Sequence, residues 1–152
     1  MSVSTQSDHP NILYIHSHDT GRYVQPYGHA IPTPNIQRLA EQGVLFRKAF
    51  CVAPTCSPSR AGLLTGQYAH CTGMLGLAHR GFSLNDYNQH IIHTLRKAGY
   101  YSVLIGEEHL SKDPKASGYD LVSRVEGSQA DIIAPAAIEL LNHDLLSPFS
   151  SQ

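Results

Sequence analysis

The stretch Cys56-Ser-Pro-Ser-Arg-Ala-Gly-Leu-Leu-Thr-Gly-Gln67, in a chain of 152 residues, predicts a helix that begins beside a cysteine. Pro58 suits the first turn of a helix, because its ring fixes the backbone angle and its missing N–H is not needed there. Gly66 suits the residue that follows the last turn. We therefore predict a helix over residues 59–65, with Cys56 at its amino end, where backbone N–H groups and the helix dipole favour an anion.

Cys56 and Arg60 form a candidate nucleophile site on chemical grounds. A cysteine at a helix start is a candidate nucleophile. Arg60 follows about one helical turn later, so its guanidinium can return to the position of the cysteine. Two interpretations remain open from the residues alone: a nucleophile site that binds anions, or a buried cysteine beside a surface arginine.

Predicted strands and helices alternate on both sides of this helix. Short apolar runs predict strands over residues 11–17, 44–50 and 101–105. Apolar spacing and end signals predict further helices over residues 34–42, 86–98 and 135–143. The stretch from Gly106 to about Gln129 is predicted as a loop. This alternation predicts an α/β fold with a largely parallel sheet.

Composition excludes several classes of protein. Hydrophobic residues make up 41% and charged residues 15%, which is too apolar for a disordered chain. A net charge of −1 gives no basic surplus for nucleic acid. The three cysteines match no zinc spacing. Residues 1–10 are polar and predicted to be disordered, and no apolar run suits a signal peptide or a membrane span. We expect no membrane partner and a cytoplasmic location.

The segment at Cys56 resembles the signature of type I sulfatases, Cys-x-Pro-Ser-Arg-x-x-x-Leu-Thr-Gly. Every defining position is matched, by Cys56, Pro58, Ser59, Arg60, Leu64, Thr65 and Gly66. Earlier in the chain, Asn11-Ile-Leu-Tyr-Ile and Asp19-x-Gly21 resemble the first strand and the metal loop of that family. After the signature, the chain is most similar to the sulfamidase branch, which acts on N-sulfated glucosamine, at His70, Gly73-Met74, Gly76-Leu77 and His79.

The resemblance implies a fold and an activity. The fold would be alkaline-phosphatase-like, a three-layer α/β fold, with residues 11–152 as the amino-terminal portion of an incomplete catalytic domain. The activity would be hydrolysis of a sulfate ester or sulfamate on a sulfated sugar. A formylglycine-generating enzyme would oxidise Cys56 to the formylglycine nucleophile. Arg60 would steady the deprotonated diol of that residue, and His109 would transfer a proton.

The resemblance also implies a divalent cation, calcium in this family, held by Asp19, His18 and the modified Cys56. The family usually has two adjacent aspartates where this chain has His18 and Asp19. Calcium prefers oxygen ligands and imidazole suits transition metals better, so His18 is either a ligand for a softer metal or a residue outside the ligand shell. A second departure is Glu107, which stands where the family has a lysine that binds sulfate.

We expect Asp19, Cys56, Arg60 and His109 to converge at the carboxyl ends of the parallel strands, because each follows a predicted strand or opens a helix. The remaining metal ligands of the family would lie beyond residue 152, so the isolated chain is expected to be inactive. Two alternatives stay open. One is a related phosphohydrolase with unmodified Cys56 as nucleophile, against which the intact Pro58 and Arg60 argue. The other is a truncated or degenerate relic without catalysis, which Glu107 and His18 favour.

Overall fold

The computed structural model describes residues 9–123 and 125–142. The chain divides into a first unit, up to Ala49, and a second unit, from Phe50 onward. Residues 1–8 of the predicted disordered terminus, and the chain after residue 142, lie outside the described residues. No helix in the described part of the chain combines the length and the apolar character needed to cross a membrane.

The first unit contains one helix, α1 (Pro34–Gln42), preceded by a 3-10 turn at Gln25–Tyr27, among its described residues. Pro34 begins α1 and Gly43 ends it, as predicted. Thr33 occupies the N-cap position, but its side chain does not cap the helix. Its hydroxyl instead accepts a hydrogen bond from the backbone N–H of Gln25 at 3.0 Å, which fixes the loop before the helix.

The strands predicted over residues 11–17 and 44–50 are absent from the described structure, and those predictions were wrong. Their apolar side chains are exposed, including Ile15 at 77% and Val44 at 79%. A buried strand needs neighbouring strands to satisfy its backbone N–H and C=O groups. Neither segment has a ladder partner among the described residues, so an apolar pattern without a neighbour does not make a strand.

The second unit carries most of the regular structure. Its helices are α2 (Cys56–Thr65), α3 (Ala69–Thr72), α4 (Ile91–Lys97) and α5 (Ala130–Asn142). Its strands are β1 (Val103–Ile105) and β2 (Leu121–Ser123), which pair in parallel with Val103 opposite Leu121. Three 3-10 turns lie at Ala78–Arg80, Tyr87–Gln89 and Pro114–Ser117. The parallel pairing of β1 and β2, with helices before and after the two strands, confirms the predicted α/β class.

A small apolar core holds α2 in place. Its buried members come from α2, from the loops that follow it and from the crossover between the strands: Ala61, Met74, Ala78, Leu84 and Leu110. The hydroxyl of buried Ser57 accepts the backbone N–H of Ala78 at 3.1 Å. On another side, a Cβ at Gly62 would lie 2.2 Å from Cγ2 of Val52, so only glycine allows this approach. These contacts fix the position of the amino end of α2.

Several boundaries in the second unit differ from the prediction, among them the start of α4, which lies at Ile91 and not at residue 86. Strand β2 lies inside the stretch predicted as a loop, because three residues among glycines and polar side chains give no period to detect. Helix α5 begins at Ala130, ahead of the predicted start at Pro135, which instead lies inside the helix. Proline is common in the first turn of a helix, and the predicted start at Pro135 rested on this preference. Here Pro135 instead lies inside a longer helix.

Asp120 joins α4 to the strand pair. Its Oδ2 accepts the backbone N–H of Ser102 at 2.8 Å and the Ser102 hydroxyl at 2.7 Å, and its Oδ1 lies 2.9 Å from Nη2 of Arg96. Burial alone would raise the pKa of Asp120, but the hydrogen bonds from Ser102 and the charge of Arg96 outweigh it and lower the pKa. A carboxyl group whose pKa is lower in the folded state than in the unfolded state stabilises the folded state at pH values above the unfolded-state pKa, about 3.9. The stabilisation is lost as the pH falls through the lower, folded-state pKa.

We therefore expect Asp120→Asn to reduce the free energy of unfolding at pH 7 by about 1–3 kcal/mol, because charge-assisted hydrogen bonds are lost. The difference from the wild type should shrink as the pH falls below about 3.9, since the wild-type carboxylate is then also neutralised. Urea denaturation at a series of pH values measures both effects. Glu126→Gln is the matched control, because Glu126 is exposed and bonds to no described residue. Equal losses in the two variants would contradict the role assigned to Asp120.

Candidate functional site

Cys56 is the first residue of α2, at the amino end of a helix of 10 residues. The thiol is half-buried, while the neighbouring Ser57 and Pro58 are buried. Gly66 ends the helix in a left-handed conformation, with its N–H bonded to the carbonyl of Gly62. The local sequence thus builds the predicted helix, although it starts three residues before the predicted range of 59–65.

The chain leaves β1 through a tight turn that carries Glu107, Glu108 and His109. Gly106 opens the turn with φ of 85°, and a Cβ there would lie 2.7 Å from Cδ1 of Ile133 on α5. His109 closes the turn with φ of 64°, in the left-handed region that non-glycine residues seldom adopt. The turn therefore follows the carboxyl end of a parallel strand, where ligand sites of α/β sheets commonly lie.

Arg60 ties this turn to α2. Its Nη1 donates to the backbone carbonyls of Glu107 at 2.9 Å and Glu108 at 3.0 Å. The residue is only 8% exposed, and its buried Nε has no hydrogen-bond partner among the described residues. The guanidinium thus positions the turn directly, a role that sequence reasoning did not foresee.

The same arrangement brings Cys56 and His109 together. A ring nitrogen of His109 lies within 4.8 Å of Sγ of Cys56. Arg60 reaches both elements, since it belongs to α2 and binds the backbone of the turn. Three of the residues singled out from the sequence therefore meet within the second unit, at the amino end of α2 and the carboxyl end of β1.

His18 and Asp19 belong to the first unit, where they contact each other. Nδ1 of His18 lies 3.1 Å from Oδ2 of Asp19. Asp19 adopts a left-handed backbone with φ of 54°, and its side chain is largely exposed. The two residues thus offer one imidazole and one carboxylate on adjacent positions of a loop.

Glu107 forms an ion-pair contact with His109. Oε1 of Glu107 lies 2.7 Å from Nε2 of His109. Next to them lies a pocket of about 260 Å³, lined by Ala78, His79, Glu107, His109, Ser111 and Lys112. Sequence reasoning did not place Lys112 here. Its position in the crossover just after His109 is the signal that could have indicated it.

Glu108 points into a buried polar cluster that anchors the turn. Its Oε1 lies 2.9 Å from Nε2 of His90, and its Oε2 accepts a hydrogen bond from the Ser117 hydroxyl. Nδ1 of His90 accepts the backbone N–H of Ile92 at 3.2 Å, so a neutral ring carries its proton on Nε2, the nitrogen that faces Oε1 of Glu108. The side chain of His90 is fully buried at the N-cap of α4.

Comparison with protein families identifies the kind of domain that this arrangement belongs to. The sulfatase family model matches residues 10–144. The chain belongs to the sulfatase family. Its α/β class, with parallel strands and the nucleophile candidate at a helix start, is the alkaline-phosphatase-like class that the sequence resemblance implied.

Curated sulfatases similar to this chain include bacterial and human proteins. An N-acetylglucosamine-6-O-sulfatase of Bacteroides thetaiotaomicron is 33% identical over 134 residues, which cover 86% of this chain and 23% of the relative. The human N-sulphoglucosamine sulphohydrolase is 36% identical over 106 residues, which cover 68% of this chain and 21% of the relative. The sulfatase chain described here thus spans about a fifth to a quarter of the length of these relatives.

Proposed function

We propose that this chain carries the nucleophile of a sulfuric ester hydrolase. The observation that supports the proposal is the meeting of Cys56 and His109, with a ring nitrogen within 4.8 Å of Sγ, at the amino end of a helix. The amino end of a helix stabilises negative charge, so it favours the deprotonated form of a nucleophile at position 56. A histidine within reach can accept the proton of that nucleophile and return it.

The substrate proposed is a sulfated carbohydrate, as an ester or a sulfamate. The names of two relatives specify sulfated amino sugars, one sulfated on oxygen and the other on nitrogen. The chain covers a minor part of each relative and is similar to both, so the comparison favours neither linkage. The substrate class is therefore proposed at the level of sulfated sugars.

The proposed nucleophile is formylglycine, made from Cys56 by a formylglycine-generating enzyme that recognises the intact signature. The half-buried position at the helix start fits this group, because the backbone N–H groups there favour negative charge. In its hydrated form the residue would supply two hydroxyl groups, one to accept the sulfuryl group and one to release it as sulfate.

His109 and Arg60 have separate roles in this proposal. His109 moves the proton at the nucleophile, since one of its ring nitrogens lies near position 56 while Nε2 contacts Glu107. Arg60 keeps His109 in place, because its guanidinium holds the carbonyls of Glu107 and Glu108. Its buried Nε is the atom through which it could also steady negative charge at position 56.

The cation of the family, for which Asp19, His18 and Cys56 are the proposed ligands, fits these donors only in part. Asp19 offers carboxylate oxygens, which suit calcium. The imidazole of His18 suits a transition metal better, and calcium takes about six to eight oxygen ligands. The donors of this chain therefore do not satisfy calcium by themselves. The roles of His109 and Arg60 do not depend on the metal.

We propose that the isolated 152-residue chain is inactive, because the related enzymes are about three to four times this length. The second candidate function is a non-catalytic relic. The contact between Glu107 and His109 favours it, since a carboxylate beside the proton-transferring residue repels a sulfate group.

The test of the proposal is the chemical state of Cys56 after co-expression with a formylglycine-generating enzyme. The tryptic peptide over residues 49–60 should lose about 18 Da, because a CH₂–SH group becomes an aldehyde. Fragmentation should place the change at Cys56 and leave Cys51 in the same peptide intact. A thiol at Cys56 together with hydrolytic activity would indicate the phosphohydrolase, and a thiol without activity in the complete protein would indicate the relic.

A further inference from the structure

The pocket beside His109 contains a cationic side chain to which no role has been assigned. Lys112 lines this pocket of about 260 Å³ together with two histidines and Glu107. The volume approaches the lower limit of ligand pockets, about 300 Å³. The pocket is therefore large enough for a small polar group of a substrate.

The charges that line the pocket are already partly engaged. Glu107 contacts Nε2 of His109 at 2.7 Å, so one oxygen of its carboxylate is bound to a proton donor. Lys112 forms no ion pair with any residue in the described ranges 9–123 and 125–142. Its ammonium is the permanently charged cation among the lining residues and carries three N–H donors. The ammonium of Lys112 is thus available to a ligand, whereas the neighbouring carboxylate of Glu107 already contacts His109.

The backbone around Lys112 is fixed on both sides. Leu110 is fully buried, and its carbonyl accepts the hydroxyl of Tyr87 at 2.8 Å. Asp113 accepts the backbone N–H of Lys115 at 3.0 Å and so caps the 3-10 turn at Pro114–Ser117. Lys112 is exposed and lies between these two anchors, which fix the backbone that carries its side chain at the edge of the pocket.

We propose that Lys112 binds the sulfate oxygens of the substrate in this pocket, next to His109. The inference rests on the proposed sulfuric ester hydrolase function and adds a binding residue to it. An ammonium suits this task, since a hydrogen bond between a cation and an anionic oxygen is about twice as strong as a neutral one. Lys112 would thereby supply the positive charge that is missing at position 107, where this chain has a glutamate.

The experiment is a titration of the 152-residue chain with sodium sulfate at constant ionic strength, followed by the NMR signals of the His79 and His109 rings. The wild type should bind sulfate saturably. Lys112→Gln should weaken binding about tenfold or more, and Lys112→Arg should retain most of it, because it keeps the charge. Lys115→Gln is the matched control, since Lys115 lies in the next turn and does not line the pocket.

Three results would overturn the inference: no saturable sulfate binding by the wild type, unchanged binding by Lys112→Gln, or equal weakening by Lys115→Gln. Inorganic phosphate serves as a second probe, and tighter binding of phosphate through Lys112 would assign the pocket to the phosphohydrolase reaction instead. This result is independent of Cys56 oxidation. If Cys56 is oxidised but Lys112 does not affect sulfate binding, only this inference is refuted. If Lys112 binds sulfate but Cys56 remains unmodified, only the proposed nucleophile is refuted.

Discussion

Replacing Cys56 with alanine is expected to lower kcat for sulfate-ester hydrolysis by at least about a thousandfold, because the nucleophile is removed and catalytic groups act as a unit. The measurement uses a protein that carries this chain with the rest of a sulfatase domain, and an aryl sulfate as substrate. Thermal unfolding should change little, since the thiol is only half-buried and accepts no hydrogen bond that fixes the helix.

Cys51→Ala and Cys71→Ala provide matched controls for this prediction. Both cysteines are exposed and free, so each variant removes a thiol without touching the amino end of α2. Both should keep the kcat of the starting protein within about twofold, which corresponds to about 0.4 kcal/mol in activation free energy. If Cys56→Ala kept comparable activity, position 56 could not be the nucleophile.

Replacing His90 with alanine is expected to reduce the free energy of unfolding by about 3–5 kcal/mol. The substitution removes the ring whose Nε2 lies 2.9 Å from Oε1 of Glu108, and it leaves the buried carboxylate without that ion-pair contact. It also removes the ring nitrogen that accepts the N–H of Ile92 at the start of α4. Urea denaturation of the 152-residue chain, monitored by circular dichroism, measures the loss.

His70→Ala is the matched control, because His70 is exposed on α3 and should change the free energy of unfolding by less than about 0.5 kcal/mol. Adding Glu108→Gln to His90→Ala should restore part of the loss, since a neutral amide is less costly to bury than an unpaired carboxylate. A double variant less stable than His90→Ala would show that the buried charge is not the cause.

Local signals in the sequence predicted the limits of α1 and the end of α2. Pro34 and Gly43 bound α1, and Gly66 ends α2, because proline and glycine act through their own backbone geometry. The strands depended on partners. The apolar run over residues 11–17 has the composition of a strand, yet pairing is a property of two segments and cannot be deduced from one.

The sequence indicated candidate residues for the site but not the contacts that hold them in place. Cys56 and His109 were identified from a motif and a resemblance, and the structure adds how Arg60 binds the turn between them. Buried partners such as His90 escaped sequence analysis, because a polar residue near a helix start is usually solvated. Its burial follows from the fold of the crossover, where Glu108 turns inward.

Two non-glycine residues in the described ranges adopt left-handed backbone angles, Asp19 and His109. Glycine would relieve about 1–2 kcal/mol of steric strain at each position. Natural selection for thermal robustness alone would therefore favour glycine at both. Under the proposed function, Asp19 and His109 carry this strain because their side chains serve the metal site and proton transfer. Glycine substitutions at these two positions are therefore the first choice for raising stability where activity is not needed, and the native residues should be kept where it is.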